Sequence, residues 1–180
     1  LAAAGSEFAT SPDVYSELGK VIGINDRDTA KQLIISFLYG AGSGTMQRLT
    51  GFDREALQDC VKTLKKIFDQ EALVKKIKFQ LQAKGHFYNH AGRPVFPTSD
   101  RFGVLFNNYC QSTAVDVALS GFSNLLSMMK GSNLQARPLC FIHDAILIDS
   151  PTEEIDCLSQ MSEELPTYLG INFPTKITIG

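Results

Sequence analysis

The chain has 180 residues, 44% of them hydrophobic and 20% charged, with a formal net charge of −2. That is enough for one ordinary domain or two small ones with a real core. The balance excludes a disordered or fibrous sequence, and no apolar run approaches the roughly 18 residues of a membrane span. Near-neutral charge by itself gives no argument for nucleic acid. Lysines 62, 65, 66, 75, 76 and 78 are concentrated in one segment, and Glu153, Glu154, Asp156, Glu163 and Glu164 gather near the end. Such runs are usually solvated helix faces. Cys60, Cys110, Cys140 and Cys157 are widely spaced and form no CxxC pair, which argues against a zinc site or disulfide framework and for a reducing, cytosolic setting.

The opening "LAAAGSEFATSPD" lacks the basic start and apolar core of a secretory signal. Either a longer chain continues upstream or "GSEF" is a cloning scar. Ser11 and Pro12 read as an N-cap and first helical position, with Asp13 in the first turn of a helix running to about Lys20. "NDRDTAKQLIISFLYGAGSG" predicts a second helix, capped near Asn25 or Asp26 and ended by Gly40, Gly42 and Gly44. Residues 53 to 83 carry apolar positions at three- and four-residue spacing and predict one largely helical stretch. "GHFYNHAGRPVFP" changes period, and its Gly92 turn and Pro94 predict a small β-hairpin. Residues 101 to 130 predict one long helix. "RPLCFIHDAILIDS" is apolar and β-branched on both sides of a turn and predicts a strand hairpin. A helix over about 152 to 169 and a terminal strand "KITIG" complete the chain.

The second helix spaces Arg27, Lys31, Ile35 and Tyr39 by four. Four residues turn a helix by about 400°, so these side chains form a slowly drifting stripe on one face. Two cations at a helix start oppose its dipole. That arrangement costs stability unless an anion docks there, and a polyphosphate would suit both the helix end and the cations. An ordinary surface Arg and Lys on an amphipathic helix is the plainer reading of the stripe taken alone.

Three ordered segments change that reading. "RDTAKQLIISFLYGAG" resembles the nucleotide-binding fingers helix of family A DNA polymerases, the group of bacterial DNA polymerase I and many phage replicases. "NNYCQSTAVD" resembles the family's helix beneath the primer–template minor groove, with Asn107 and Gln111 on its reading positions. "HD" at His143 and Asp144 matches the third motif, and "AGRPVFP" resembles the hairpin between these segments. The resemblance covers nearly all 180 residues. It implies an α+β fold of the polymerase right-hand type: residues 1–10 end a palm segment, 11–99 are helical fingers, and 100–180 are the carboxy-terminal half of an antiparallel-sheet palm.

The chemistry implied is attack of a primer 3′-hydroxyl on the α-phosphorus of a dNTP. By the resemblance, Asp144, His143 and Lys31 are catalytic, and Asp144 ligates Mg2+, with two ions about 3.5–4 Å apart in the complete enzyme. Arg27 and Lys31 hold the triphosphate, Ile35 faces the incoming sugar, and Tyr39 with Gly40 sits near the templating position. Asn107 and Gln111 contact minor-groove acceptors shared by all correct pairs. His143 contacts the primer backbone, and Arg93 is a further DNA contact. The implied partners are primer–template DNA, dNTP, and a chain or segment carrying the first-motif aspartate and thumb, with no membrane. The implied place is the cytoplasm, that of the host cell if the source is viral. Adjacent strand residues face opposite sides, so in a hairpin His143 and Asp144 are not expected to share one core.

The sequence departs from the family pattern at three points. Ile35 stands where the family usually has Phe or Tyr, which puts sugar discrimination in doubt. Ala145 stands where Glu usually follows "HD", which should alter rate or fidelity more than abolish chemistry. The first motif would fall before Leu1, and no thumb sequence is present, so the expectation is a carboxy-terminal fragment or subunit of native sequence, since "PDVYSEL" continues the family pattern. Asp116 and Asp149 are poorly placed to substitute. An open palm edge predicts a partner or aggregation. The competing readings are a single-subunit RNA polymerase, an HD-type phosphohydrolase, and a DNA-binding remnant without catalysis. The phosphohydrolase would need more His ligands than His86 and His90, which fall in the hairpin among aromatic residues. The remnant would show strongly salt-dependent DNA affinity without nucleotide addition.

Overall fold

The computed structural model describes residues 11, 13–142, 145–163 and 177–179. Its helices are α1 (Val14–Val21), α2 (Arg27–Leu38), α3 (Ser43–Thr50), α4 (Arg54–Ile67), α5 (Gln70–Lys84), α6 (Phe102–Gly131) and α7 (Ile155–Glu163). Two antiparallel hairpins, β1 (Phe87–Tyr88) with β2 (Pro94–Val95) and β3 (Arg137–Ile142) with β4 (Ala145–Asp149), give the α+β character.

Aspartates set the helix starts. The side chains of Asp13, Asp26, Asp53 and Asp69 each accept the amide of the residue three places on, at 2.7 to 3.3 Å. Each satisfies one of the amides that a helix start leaves without an internal partner. The cap of α1 is therefore Asp13 and not Ser11, whose hydroxyl accepts the Asp13 amide at 3.2 Å. Asp13, two residues closer to Ser16 than Ser11 is, puts its carboxylate within reach of that amide.

The single helical run expected over 53 to 83 is two helices. Phe68 leaves α4 in an extended conformation, with φ −113° and ψ 105°, and Asp69 caps α5 anew. The break puts the Phe68 ring into the core, 6.4 Å from that of Phe37. The glycines expected to end the second helix behave differently from one another. Gly40 follows α2 with φ 73°, whereas Gly42 caps α3 and Gly44 lies inside it. Burial of Met46 anchors this short helix despite its poor start.

The chain forms two compact units, one ending at Gln111 and the next beginning at Ser112. The first has two cores. In one, α1 to α4 bury Leu18, Ala30, Leu33 and Leu64 completely, together with Ile34, Phe37 and Leu57. In the other, α5, the first hairpin and the start of α6 bury Val74, Ile77, Phe87, Leu105 and Phe106. Each fully buried Leu or Phe contributes about 1.5–3 kcal/mol. Leu38 packs against both cores, and buried Gln70 donates its Nε2 to Leu38 O at 3.1 Å, so its polar group is satisfied.

The second unit packs Leu125 and Met129 of α6 against Ala136, Leu158 and Met161, with Ile146 and Ile148 half-buried against them. The Glu154 carboxylate accepts the amides of Gln135 and Ala136, each at 2.9 Å, and so fixes the approach to β3. The β3–β4 ladder runs from Arg137↔Asp149 to Ile142↔Ala145, with an irregularity between Pro138 and Cys140. The helix expected over 152 to 169 begins as a 3₁₀ turn (Thr152–Glu154) and continues as α7; its stretch beyond 163 lies outside the described residues. Of the expected terminal strand, residues 177–179 are described and are not in a strand, since no ladder partner pairs with them among the described residues.

Candidate nucleotide-binding face

The α2 stripe forms as its spacing predicts. Ala30, Leu33, Ile34 and Phe37 fill the core, which leaves Arg27, Lys31 and Tyr39 exposed and Ile35 half-buried on the other side. Tyr15 of α1 joins them: Arg27 Cζ lies 5.8 Å and Lys31 Nζ 5.7 Å from its ring centroid. One aromatic ring thus contacts both cations at the same end of the stripe.

Arg27 is also tied to the α1 cap, its Nε donating to both Asp13 oxygens at 3.1 and 3.0 Å. Ser16, through its side chain foremost and its amide as well, together with Arg27, holds the Asp13 carboxyl below the usual carboxylate range. The pair is solvent-exposed on both sides, so an incoming polyanion can displace the carboxylate at little cost. Lys31 makes no ion pair among the described residues.

At the other end, Tyr39 is the C-cap of α2, and its hydroxyl accepts a hydrogen bond from Gln111 Nε2 at 3.1 Å. This contact joins two segments 72 residues apart, one expected near a templating base and the other at the minor groove. It depends on a close approach of backbones: a Cβ built on Gly103 would lie 2.5 Å from Tyr39 O. Gly40, just beyond, lies against the same start of α6, where its own Cβ would meet Gly103 Cα at 3.6 Å. Asn107 is half-buried one turn before Gln111 on α6. Arg93 is exposed in the turn of the first hairpin, where its amide donates to Asn89 Oδ1 at 2.9 Å.

The structure thus brings Arg27 with Lys31, and Tyr39 with Gly40 and Gln111. Asp13, Tyr15 and Gly103 were missed from sequence; only the helix-start position of Asp13 gave any signal. His143 and Asp144, which the sequence singled out, lie outside the described residues. Among the described residues no group of three or more His, Cys, Asp or Glu could hold a metal ion. The four cysteines are unbridged, and burial pushes the Cys60 and Cys110 thiols up.

No protein-family model matches the chain, and no curated protein does. Its fold is nevertheless a known one, the α+β fold of a DNA polymerase domain. A solved structure that shares it is the polymerase domain of Pol1 from M. smegmatis in complex with DNA primer-template and dNTP, with a TM-score of 0.68 over 87% of this chain at 18% identity. The chain spans 31% of that protein's chain. No helix among the described residues is long and apolar enough to cross a membrane.

Proposed function

We propose that this chain is the fingers and carboxy-terminal half-palm of a template-directed DNA polymerase of family A, phage type, acting in DNA replication. The observation that carries the reading is the α2 stripe, whose Tyr39 end is hydrogen-bonded to Gln111 within a polymerase-like fold. A cationic end and an aromatic end on one solvent-facing helix suit a nucleotide, whose triphosphate and base differ in the same way. Residues 11–99 are taken as fingers, with 1–10 and 100–180 as palm.

In this reading Arg27 exchanges Asp13 for phosphate oxygens, an exchange that the larger charge of a triphosphate favours. Lys31 binds the same group as a point charge. Ile35 presents an aliphatic surface to the sugar, Tyr39 and Gly40 border the templating base, and Asn107 and Gln111 contact the minor groove. Arg93 and His143 contact the DNA backbone. Asp144 is assigned as one ligand of the two Mg2+ ions, and the remaining carboxylate and the thumb are assigned to a separate chain or further segment. Among the described residues the β3–β4 sheet has two strands and is exposed along all of β3, which favours that division, because an open strand invites a partner.

Primer extension on a primed DNA template with dNTPs and Mg2+ tests the reading. We expect none from these 180 residues alone, and Asp144-dependent extension once a segment supplying the first carboxylate is present. Extension by the chain alone would place every ligand within it and refute the division. In the active assembly, Ala145→Glu should change rate or fidelity; unchanged kinetics would count against a role for that position.

A further inference from the structure

The first hairpin carries a feature that the nucleotide face does not use. Phe87 and Val95 are cross-strand partners and turn inward, with Phe87 fully buried. Alternation along each strand then sends the flanking His86, Tyr88 and Phe96 to the outer face. There the His86 ring lies 5.1 Å from that of Tyr88, edge-on, and 5.2 Å from that of Phe96. Phe96 is 71% exposed and Tyr88 37%. Lys84, at the end of α5, holds its Nζ 5.0 Å above the Tyr88 ring.

The hairpin already has its buried anchor in Phe87, so the core does not require three more rings outside. An apolar ring left largely in water gains free energy from any flat partner that covers it. The Lys84 cation selects what that partner is. A greasy protein surface would have to desolvate the ammonium without repayment, whereas a nucleic acid strand offers phosphate oxygens for the cation and base faces for the rings. Paired bases keep their faces within the duplex, so only an unpaired strand can use both.

We propose that the outer face of this hairpin, formed by Lys84, His86, Tyr88 and Phe96, is a stacking platform for single-stranded DNA. His86 is set in place rather than free to turn: its Nδ1 lies 3.1 Å from Lys84 O, a hydrogen bond that the Nδ1–H tautomer donates. The imidazole therefore braces the two exposed rings, edge-on to Tyr88 and tilted against Phe96.

The chain contains no tryptophan, which allows a direct readout of stacking. The Phe96→Trp variant, titrated with a short oligothymidylate at low salt, should show saturable quenching of its emission. Adding Tyr88→Ala should weaken binding about tenfold, and adding Lys84→Ala should lower the salt slope by about 0.7. Circular dichroism of each variant, expected to match the parent, separates loss of the face from loss of the fold. Absence of quenching, equal quenching by blunt duplex DNA, or emission that follows protein concentration instead of oligonucleotide would each overturn the proposal. Because nucleotide addition is not the readout, a chain inactive in primer extension can still pass this test.

Discussion

The two hairpins solve the problem of a two-stranded sheet in opposite ways. The first is minimal, two residues per strand, yet it buries Phe87 completely against α5 and α6. The second is longer, and all six residues of β3 are exposed, with Leu139 at 61%, Phe141 at 49% and Ile142 at 55%. Its inward support comes from Ile146 and Ile148 on β4 and from Phe141 stacked on Phe122 at 5.7 Å. An isolated hairpin is marginal in water, and a packed face is what makes it stable. The first hairpin is therefore anchored through its inner face, whatever covers its outer one. The second rests on fewer inward contacts and leaves the whole of β3 exposed.

The largest effect that would sharpen this contrast lies in the first hairpin. Phe87→Ala removes its only buried ring and should cost about 3–5 kcal/mol in denaturant unfolding. A loss under about 1 kcal/mol would mean that the hairpin rides on the core without anchoring it. Gly103→Ala comes next, because its Cβ would strike Tyr39 O. It should cost about 1–3 kcal/mol and also weaken dNTP binding, since it separates Tyr39 from Gln111. Stability lost with dNTP affinity intact would detach that contact from the nucleotide face.

In the second hairpin, Leu139→Lys should leave the stability of the chain within about 0.5 kcal/mol and reduce self-association measured by sedimentation. A destabilisation of several times that size would show that β3 is already covered. The smallest effect concerns Asp13. Its carboxyl is held below the ordinary value in the folded chain, so its stabilisation is complete above the unfolded value and is lost as pH falls through the folded one. Thermal stability should therefore decline below about pH 4, and less steeply in Asp13→Asn. Identical acid profiles would remove Asp13 from the account.

What the sequence could show followed from local chemistry. The four-residue spacing from Arg27 to Tyr39 and a cap expected at Asn25 or Asp26 defined α2 and its exposed face, and the change of period around Gly92 defined the first hairpin. The break at Phe68 was hidden because the apolar spacing continues through it, and only burial beside Phe37 decides that the chain turns there. Helix α3 was hidden because its glycines read as a terminator. The Tyr39–Gln111 bond and the Gly103 approach were out of reach, since both depend on packing between segments far apart in sequence. The Arg27–Asp13 pair was missed for a related reason: Asp13 was read only as a first-turn acid, and its other partner lies on the next helix.

The central claim is that the α2 stripe holds a nucleoside triphosphate. Calorimetric titration of the chain with a dNTP and Mg2+, compared with Lys31→Ala, tests it most directly. A charge-assisted contact of about 1.5–3 kcal/mol predicts an affinity loss of roughly ten- to a hundredfold in the variant. Equal affinity in the two proteins would contradict the claim.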